Sequence, residues 1–148
     1  MATPEETFNF VNNHKNFSSH MNKSSLMLGG GEMKTEFDND MGQKLGSHIK
    51  MSGNAFGLKL YLDEVITFYN PPYKKEWGTV GDLTLYIIGQ YKLGFEISPK
   101  DKGSIIKVYI DYDKPKSFIE KVLSLFLGYF YAKWCVNQMI NGVKLKFS

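Results

Sequence analysis

The sequence predicts an α+β domain in which a curved antiparallel sheet wraps around one long C-terminal helix. Three observations carry this prediction. A helix-start signature stands at Thr3-Pro4-Glu5-Glu6, short glycine-punctuated segments of β-type residues run from Leu26 to Asp113, and an apolar stretch of helical spacing follows Pro115. A chain of 148 residues buries on the order of 70% of its unfolded surface, so a single domain over residues 1–148 needs no disulfide or metal staple.

The first helix is predicted from its cap. Thr3 can accept a backbone hydrogen bond, Pro4 fits the first helical position, and Glu6 stands where a capping-box acid belongs. Phe8 and Val11 give the helix an apolar side, and the run from Asn12 to Asn16 ends it. A second short helix or turn is expected through Phe17-Ser18-Ser19-His20-Met21.

Six strands are expected next, over Glu32 to Phe37, Leu45 to Ser52, Phe56 to Phe68, Lys75 to Val80, Leu83 to Ile97 and Ser104 to Tyr112. Turn chemistry separates them at Asp38-Asn39-Asp40, Gly53-Asn54, Asn70-Pro71-Pro72, Gly81-Asp82 and Lys100-Asp101-Lys102-Gly103. Alternation assigns their faces. Leu58, Leu60 and Leu62 oppose Lys59, Tyr61 and Asp63; Tyr91, Leu93, Phe95 and Ile97 oppose Lys92, Gly94, Glu96 and Ser98; Ile106, Val108, Ile110 and Tyr112 oppose Lys107, Tyr109 and Asp111. Such a sheet has one face in the core and one in water.

The last helix is expected from about Ser117 to Asn141, with a stripe of Ile119, Leu123, Phe126, Leu127, Phe130 and Trp134 widened by Val122, Leu125, Tyr131, Cys135 and Met139. Its most apolar stretch, Val122 to Val136, contains Ser124 and Lys133 and falls short of the roughly twenty residues that a bilayer needs. A helix apolar over most of its circumference is better explained as one gripped by a sheet.

Composition narrows the chemistry. All eighteen basic residues are lysine, and with fifteen acidic ones they leave a formal charge of +3. Without arginine there is no planar fork for bidentate grip on phosphate, carboxylate or guanine, and scattered lysines do not make a nucleic-acid surface. The lysines, including the Lys74-Lys75 pair, read as solvated. The lone Cys135 reads as a buried inert thiol, and the absence of a signal-peptide pattern points to a cytoplasmic protein. His14, His20 and His48 lack ligand spacing and read as surface residues, so neither a metal nor a cofactor is expected. Gly29-Gly30-Gly31 lacks the lysine of a phosphate loop. Asp63-Glu64, Glu76, Glu96 and Asp111 are the available acid/base carboxylates, with Asp63 and Asp111 on outer faces.

What remains distinctive is the density of bulky rings shared by the inner face and the last helix. These rings either fill a solid core or line a cavity for an apolar ligand. The order helix, meander, long helix, together with the segments 46–53, 71–77, 89–95 and 131–135 and the pair His20-Met21, resembles the START-like superfamily, also called SRPBCC or polyketide cyclase-like, and in particular its small stand-alone bacterial members. The resemblance implies the helix-grip fold, with a hydrophobic pocket between sheet and helix. It does not imply one reaction, because members include lipid carriers, cyclases, receptors and chaperone activators. The usual strand before the first helix is missing, which predicts an exposed sheet edge and self-association through it, beside the Ser104 to Tyr112 strand. The leading expectation is a non-enzymatic binder or carrier of a hydrophobic or amphipathic small molecule, its pocket lined by Trp77, Tyr91, Phe95, Tyr112, Phe130 and Trp134. The alternatives are a cyclase- or dehydratase-type enzyme using a tyrosine or carboxylate in that pocket, and a protein-interaction module with a filled core.

Overall fold

In a computed structural model of the chain, residues 2–17, 33–55, 57–86, 88–114 and 118–148 are described. The first helix, α1 (Pro4–Asn12), carries the full capping box: the Thr3 hydroxyl accepts from the Glu6 N–H at 3.2 Å and the Glu6 carboxylate accepts from the Thr3 N–H at 2.9 Å. Phe8 and Val11 are buried beneath it. A single helical turn, α2 (His14–Phe17), follows at once, earlier than the expected second element, the rest of which lies outside the described residues.

Six strands form one antiparallel sheet in sequence order: β1 (Met33–Phe37), β2 (His48–Ala55), β3 (Leu58–Asn70), β4 (Lys74–Thr84), β5 (Tyr91–Lys100) and β6 (Gly103–Tyr112). The long helix, α3 (Phe118–Phe147), packs on β6, α1 and α2. The α+β helix-grip expectation is therefore met, with β1 and β6 at the two edges of the sheet. Period-two alternation holds in all three strands where it was read, and it buries Leu62, Ile66, Leu93, Phe95 and Ile97.

Several boundaries move, each for a local reason. The strand expected from Leu45 begins at His48, because residues before it close a loop around the Asp38 carboxylate, which accepts from the Ser47 hydroxyl at 2.6 Å and the His48 N–H at 2.7 Å. Gly42 turns that loop with φ 71°, and a Cβ there would stand 2.6 Å from Ile49. Gly53-Asn54 is not a turn, since β2 runs through it. Neither is Gly81-Asp82: Gly81, at φ 65°, bends β4 without reversing it, and the strand continues to Thr84. The expected Leu83 to Ile97 strand is consequently two pieces. Beyond Gly78 the β4 strand keeps its ladder pairing with β3 alone, since β5 begins at Tyr91, and Leu85 and Ile88 belong to the gap segment between the two strands.

Two polar residues expected at the surface are inside. Lys75 is 1% exposed, and its ammonium donates to both the carbonyl and the side-chain oxygen of Asn12 at 3.1 Å. It thereby satisfies the C-terminus of α1 with a cation. His14 is also buried, edge-on to Phe37 and Trp77. Among the described side chains the buried face of α3 is Gly128, Ala132, Cys135, Met139 and Val143, spaced four, three, four and four; it includes Cys135 and Met139 of the expected stripe, whose Ile119, Leu123 and Phe126 lie outside the described side chains. Leu127 and Phe130 are turned outward. A helix apolar on every side gives the sequence no preferred face.

Candidate functional site

Where β4 leaves β5, the inner face of the sheet and α3 enclose a cavity of about 50 Å³. Met33, Met51, Leu60 and Leu62 line it from the first three strands, Trp77, Tyr91, Leu93 and Ile110 from the last three. Leu85 and Ile88 come from the gap segment, and Tyr131, Cys135 and Met139 from α3. One lining residue is an acid. Glu64 follows Leu60 and Leu62 on the inward parity of β3, so the pleat that buries those leucines buries its carboxyl as well.

The chemistry concentrates at this residue. Glu64 Oε1 accepts a hydrogen bond from the Tyr91 hydroxyl, while its buried Oε2 has no partner. The Trp77 indole and the Lys75 ammonium favour the charged form from nearby without bonding to Oε2. Burial outweighs them, aided by the neighbouring Asp63 charge, and raises the carboxyl from 4.5 to about 7. Burial likewise lowers Lys75 to about 8, against the opposing pull of Glu64. Tyr91 and Tyr131 are pushed well above the usual phenol range, and the Cys135 thiol is pushed up to about 12. Cys135 is thus a buried, protonated thiol, as the sequence suggested. The cavity therefore holds one acid close to its midpoint at neutral pH, among groups that stay protonated.

Of the six residues expected to line a pocket, Trp77 and Tyr91 do so. Phe95 lies behind them, fully buried in an edge-to-face cluster with Phe8, Phe17 and Trp77. Tyr112 pairs with Tyr91 in the β5–β6 register but is half-buried outside the lining. Trp134 is half-buried and stacks on Tyr131. Phe130 is 67% exposed and stands away from the cavity. The sequence reading missed Glu64, Tyr131 and the three methionines as lining residues. Parity was the available signal for Glu64, two residues beyond Leu62.

A second concavity, an open groove of about 700 Å³, lies at the other end of α3 between α1, the β5–β6 turn and the last helical turns. Its floor is Ile106, Ile140, Val143 and Phe147, and Lys100, Lys102 and Lys144 also line it. Its buried polar group is satisfied, because the Thr7 and Ser104 hydroxyls bond to each other at 2.8 Å and Ser104 donates to the Ala2 carbonyl. It is the larger space, but it has no counterpart of the unpartnered acid. Among the described residues, no group of three or more His, Cys, Asp or Glu is placed to hold a metal, and no helix is long and apolar enough to cross a membrane.

No protein-family model matches the sequence, and no curated protein matches it. Solved structures do match in shape. Protein CV1439 from Chromobacterium violaceum is similar with a TM-score of 0.54 and 17% identity, over 92% of this chain and 89% of that one. Ara h 8.0201 is similar with a TM-score of 0.58 and 13% identity, over 96% of this chain and 90% of that one. At such identities the likeness shows the fold alone, a curved antiparallel sheet with a long C-terminal helix.

Proposed function

We propose that the protein binds a small, predominantly apolar molecule between the inner face of the sheet and α3, and that it does so as a carrier or receptor. The observation that carries this reading is the cavity itself: an apolar enclosure with one buried polar atom, Glu64 Oε2, left without a partner. A cavity of about 50 Å³ has room for one or two waters, whereas drug-sized ligands occupy roughly 300–1,000 Å³. Ligand entry therefore requires the walls to move. Three of them are the unbranched side chains of Met33, Met51 and Met139, which repack more readily than branched ones. Leu85 and Ile88, which line the cavity between the end of β4 and the start of β5, are the wall segment we assign to entry.

A second reading is favoured by the Glu64–Tyr91 pair. A buried carboxyl poised near neutrality beside a tyrosine is the equipment of a proton-transfer enzyme, the cyclase- or dehydratase-type alternative. Self-association through the edge of β6 is a separate proposal, and strictly monomeric light scattering at high concentration would end it.

The binding reading is tested by native mass spectrometry of the purified protein, together with tryptophan emission. Trp134→Phe leaves Trp77, in the cavity wall, as the remaining tryptophan. A co-purified small molecule, or a shift of Trp77 emission on adding apolar aromatic probes, is the expected result. No bound mass and no shift with any probe would overturn it.

A further inference from the structure

We infer that the molecule held in this cavity carries a hydrogen-bond donor at its polar end, a hydroxyl or an ammonium, anchored on Glu64 Oε2, and that carboxylate-headed lipids are rejected. The inference rests on the binding reading above and adds to it the chemistry of the ligand's head.

Polar groups face Glu64 from each packed element. On its own strand, Asp63 adds negative charge and is tied to His48 Nδ1 at 2.9 Å. From β4, the Trp77 indole N–H lies near the carboxyl and favours its charged form without hydrogen-bond geometry to Oε2, and Lys75 commits its ammonium to two oxygens of Asn12 and does not line the cavity. From β5, the Tyr91 hydroxyl donates to Oε1. From α3, Tyr131 and Cys135 interact with each other and stay protonated. No cation lines the cavity among the described residues, and the chain has no arginine. An anionic head would meet Glu64 in an apolar enclosure, where two like charges are costly and one of them must take up a proton. A donor head gives Oε2 the partner it lacks, and an unsatisfied buried acceptor is expensive to leave unmade. Glu64 lies between Leu62 and Ile66 on the inner face, so the rest of the ligand meets hydrocarbon and aromatic rings.

The test uses four probes with one common ring: benzene, phenol, benzylamine and benzoate, titrated into the protein at pH 7.5 and followed by NMR. Phenol or benzylamine is expected to bind about tenfold more tightly than benzene, and benzoate about tenfold more weakly than phenol. In Glu64→Leu the four should converge to within about threefold; if that variant does not fold, Glu64→Gln, whose amide N–H donors replace Oε2 while its oxygen keeps the Tyr91 hydroxyl, should abolish or reverse the preference for donor heads. Tighter binding of phenol or of benzylamine identifies which donor the site prefers, and either supports the inference. Benzoate binding as tightly as phenol, with benzene still bound, overturns the donor preference and leaves the apolar cavity standing. A preference that survives both substitutions overturns the role of Glu64. Failure of all four to bind overturns the cavity reading together with this one.

Discussion

Replacing Glu64 by glutamine isolates the energetic consequence of burying its carboxyl. The folded protein keeps this proton until about pH 7, while an unfolded chain releases it near 4.5. Between those values the folded state binds more protons, so stability falls as pH rises through that window and is greatest below it. A displacement from 4.5 to about 7 at full burial corresponds to about 3 kcal/mol, a large share of the usual stability of a domain this size. Urea denaturation at half-unit steps from pH 4.5 to 8 measures it, and with an ordinary slope the wild-type midpoint drops by about 1–2 M urea. Glutamine keeps an oxygen for the Tyr91 hydroxyl and has nothing to ionise, so its profile lacks that drop. The difference between the two profiles removes the remaining groups. Asp38 and Glu76, whose carboxyls are lowered by hydrogen bonds, contribute stability that is lost only as pH falls through their lowered values. Lys75, lowered to about 8, acts above the window. A difference that stays constant from pH 5 to 8 would refute the burial argument.

Two further perturbations test the packing. Phe95→Ala removes a fully buried ring from the cluster of Phe8, Phe17 and Trp77 and should cost about 3–5 kcal/mol, whereas Phe130→Ala, on the exposed side of α3, should stay within about 0.5 kcal/mol; equal costs by denaturation would contradict the assignment of the helix face. In Gly94→Ala the new Cβ would stand 2.7 Å from the Tyr109 hydroxyl oxygen, displacing the ring and its 2.6 Å bond to Glu76, so a loss of about 1–3 kcal/mol is expected, and an unchanged denaturation midpoint would show that the ring has room to move.

What the sequence made legible was whatever a local period or a local motif specifies. The capping box at Thr3 and Glu6 needs four residues, and the faces of β5 and β6 need only alternation. The illegible parts depend on partners distant in the chain. Lys74 and Lys75 look alike as a dipeptide, yet Lys75 shares inward parity with Trp77 and finds its oxygens sixty-three residues earlier, on Asn12. The Gly81-Asp82 pair resembles a reversal, but a glycine at positive φ also serves a bend inside a strand, and the pairing of β3 with β4 past that point decides between the two. On α3 the hydrophobic pattern covers every side and so names no face, and the buried positions include Gly128 and Ala132, which a search for bulky rings passes over. That search also explains the site. Bulky rings single out Trp77 and Tyr91, which are in the cavity wall, and Phe130, which is not, whereas the acid between Leu62 and Ile66 carries only the signal of strand parity.

Glu64 bears on function because its neighbours, Tyr91, Trp77 and Lys75, do not offset the burial of its carboxyl. Its strand neighbours on the same face, Leu62 and Ile66, are each 1% exposed, and a leucine between them would continue a hydrocarbon surface already lined by Met51 and Leu93. Tyr91 falls short because its hydroxyl engages one carboxyl oxygen and leaves the other bare. A burial that costs about 3 kcal/mol above neutrality and satisfies only half of the group's acceptors is an arrangement that packing alone would not favour. Perturbed acids of this kind collect where a protein meets a ligand or moves a proton. The two functional readings then separate on one feature of Oε2. A carrier needs it to be filled by a ligand donor at equilibrium, which lowers the carboxyl toward its ordinary value. A proton-transfer catalyst needs it to stay near 7 with substrate bound, so that the group can both give and take a proton. The ionisation of Glu64, followed with and without a bound donor probe, therefore distinguishes holding a molecule from transforming it.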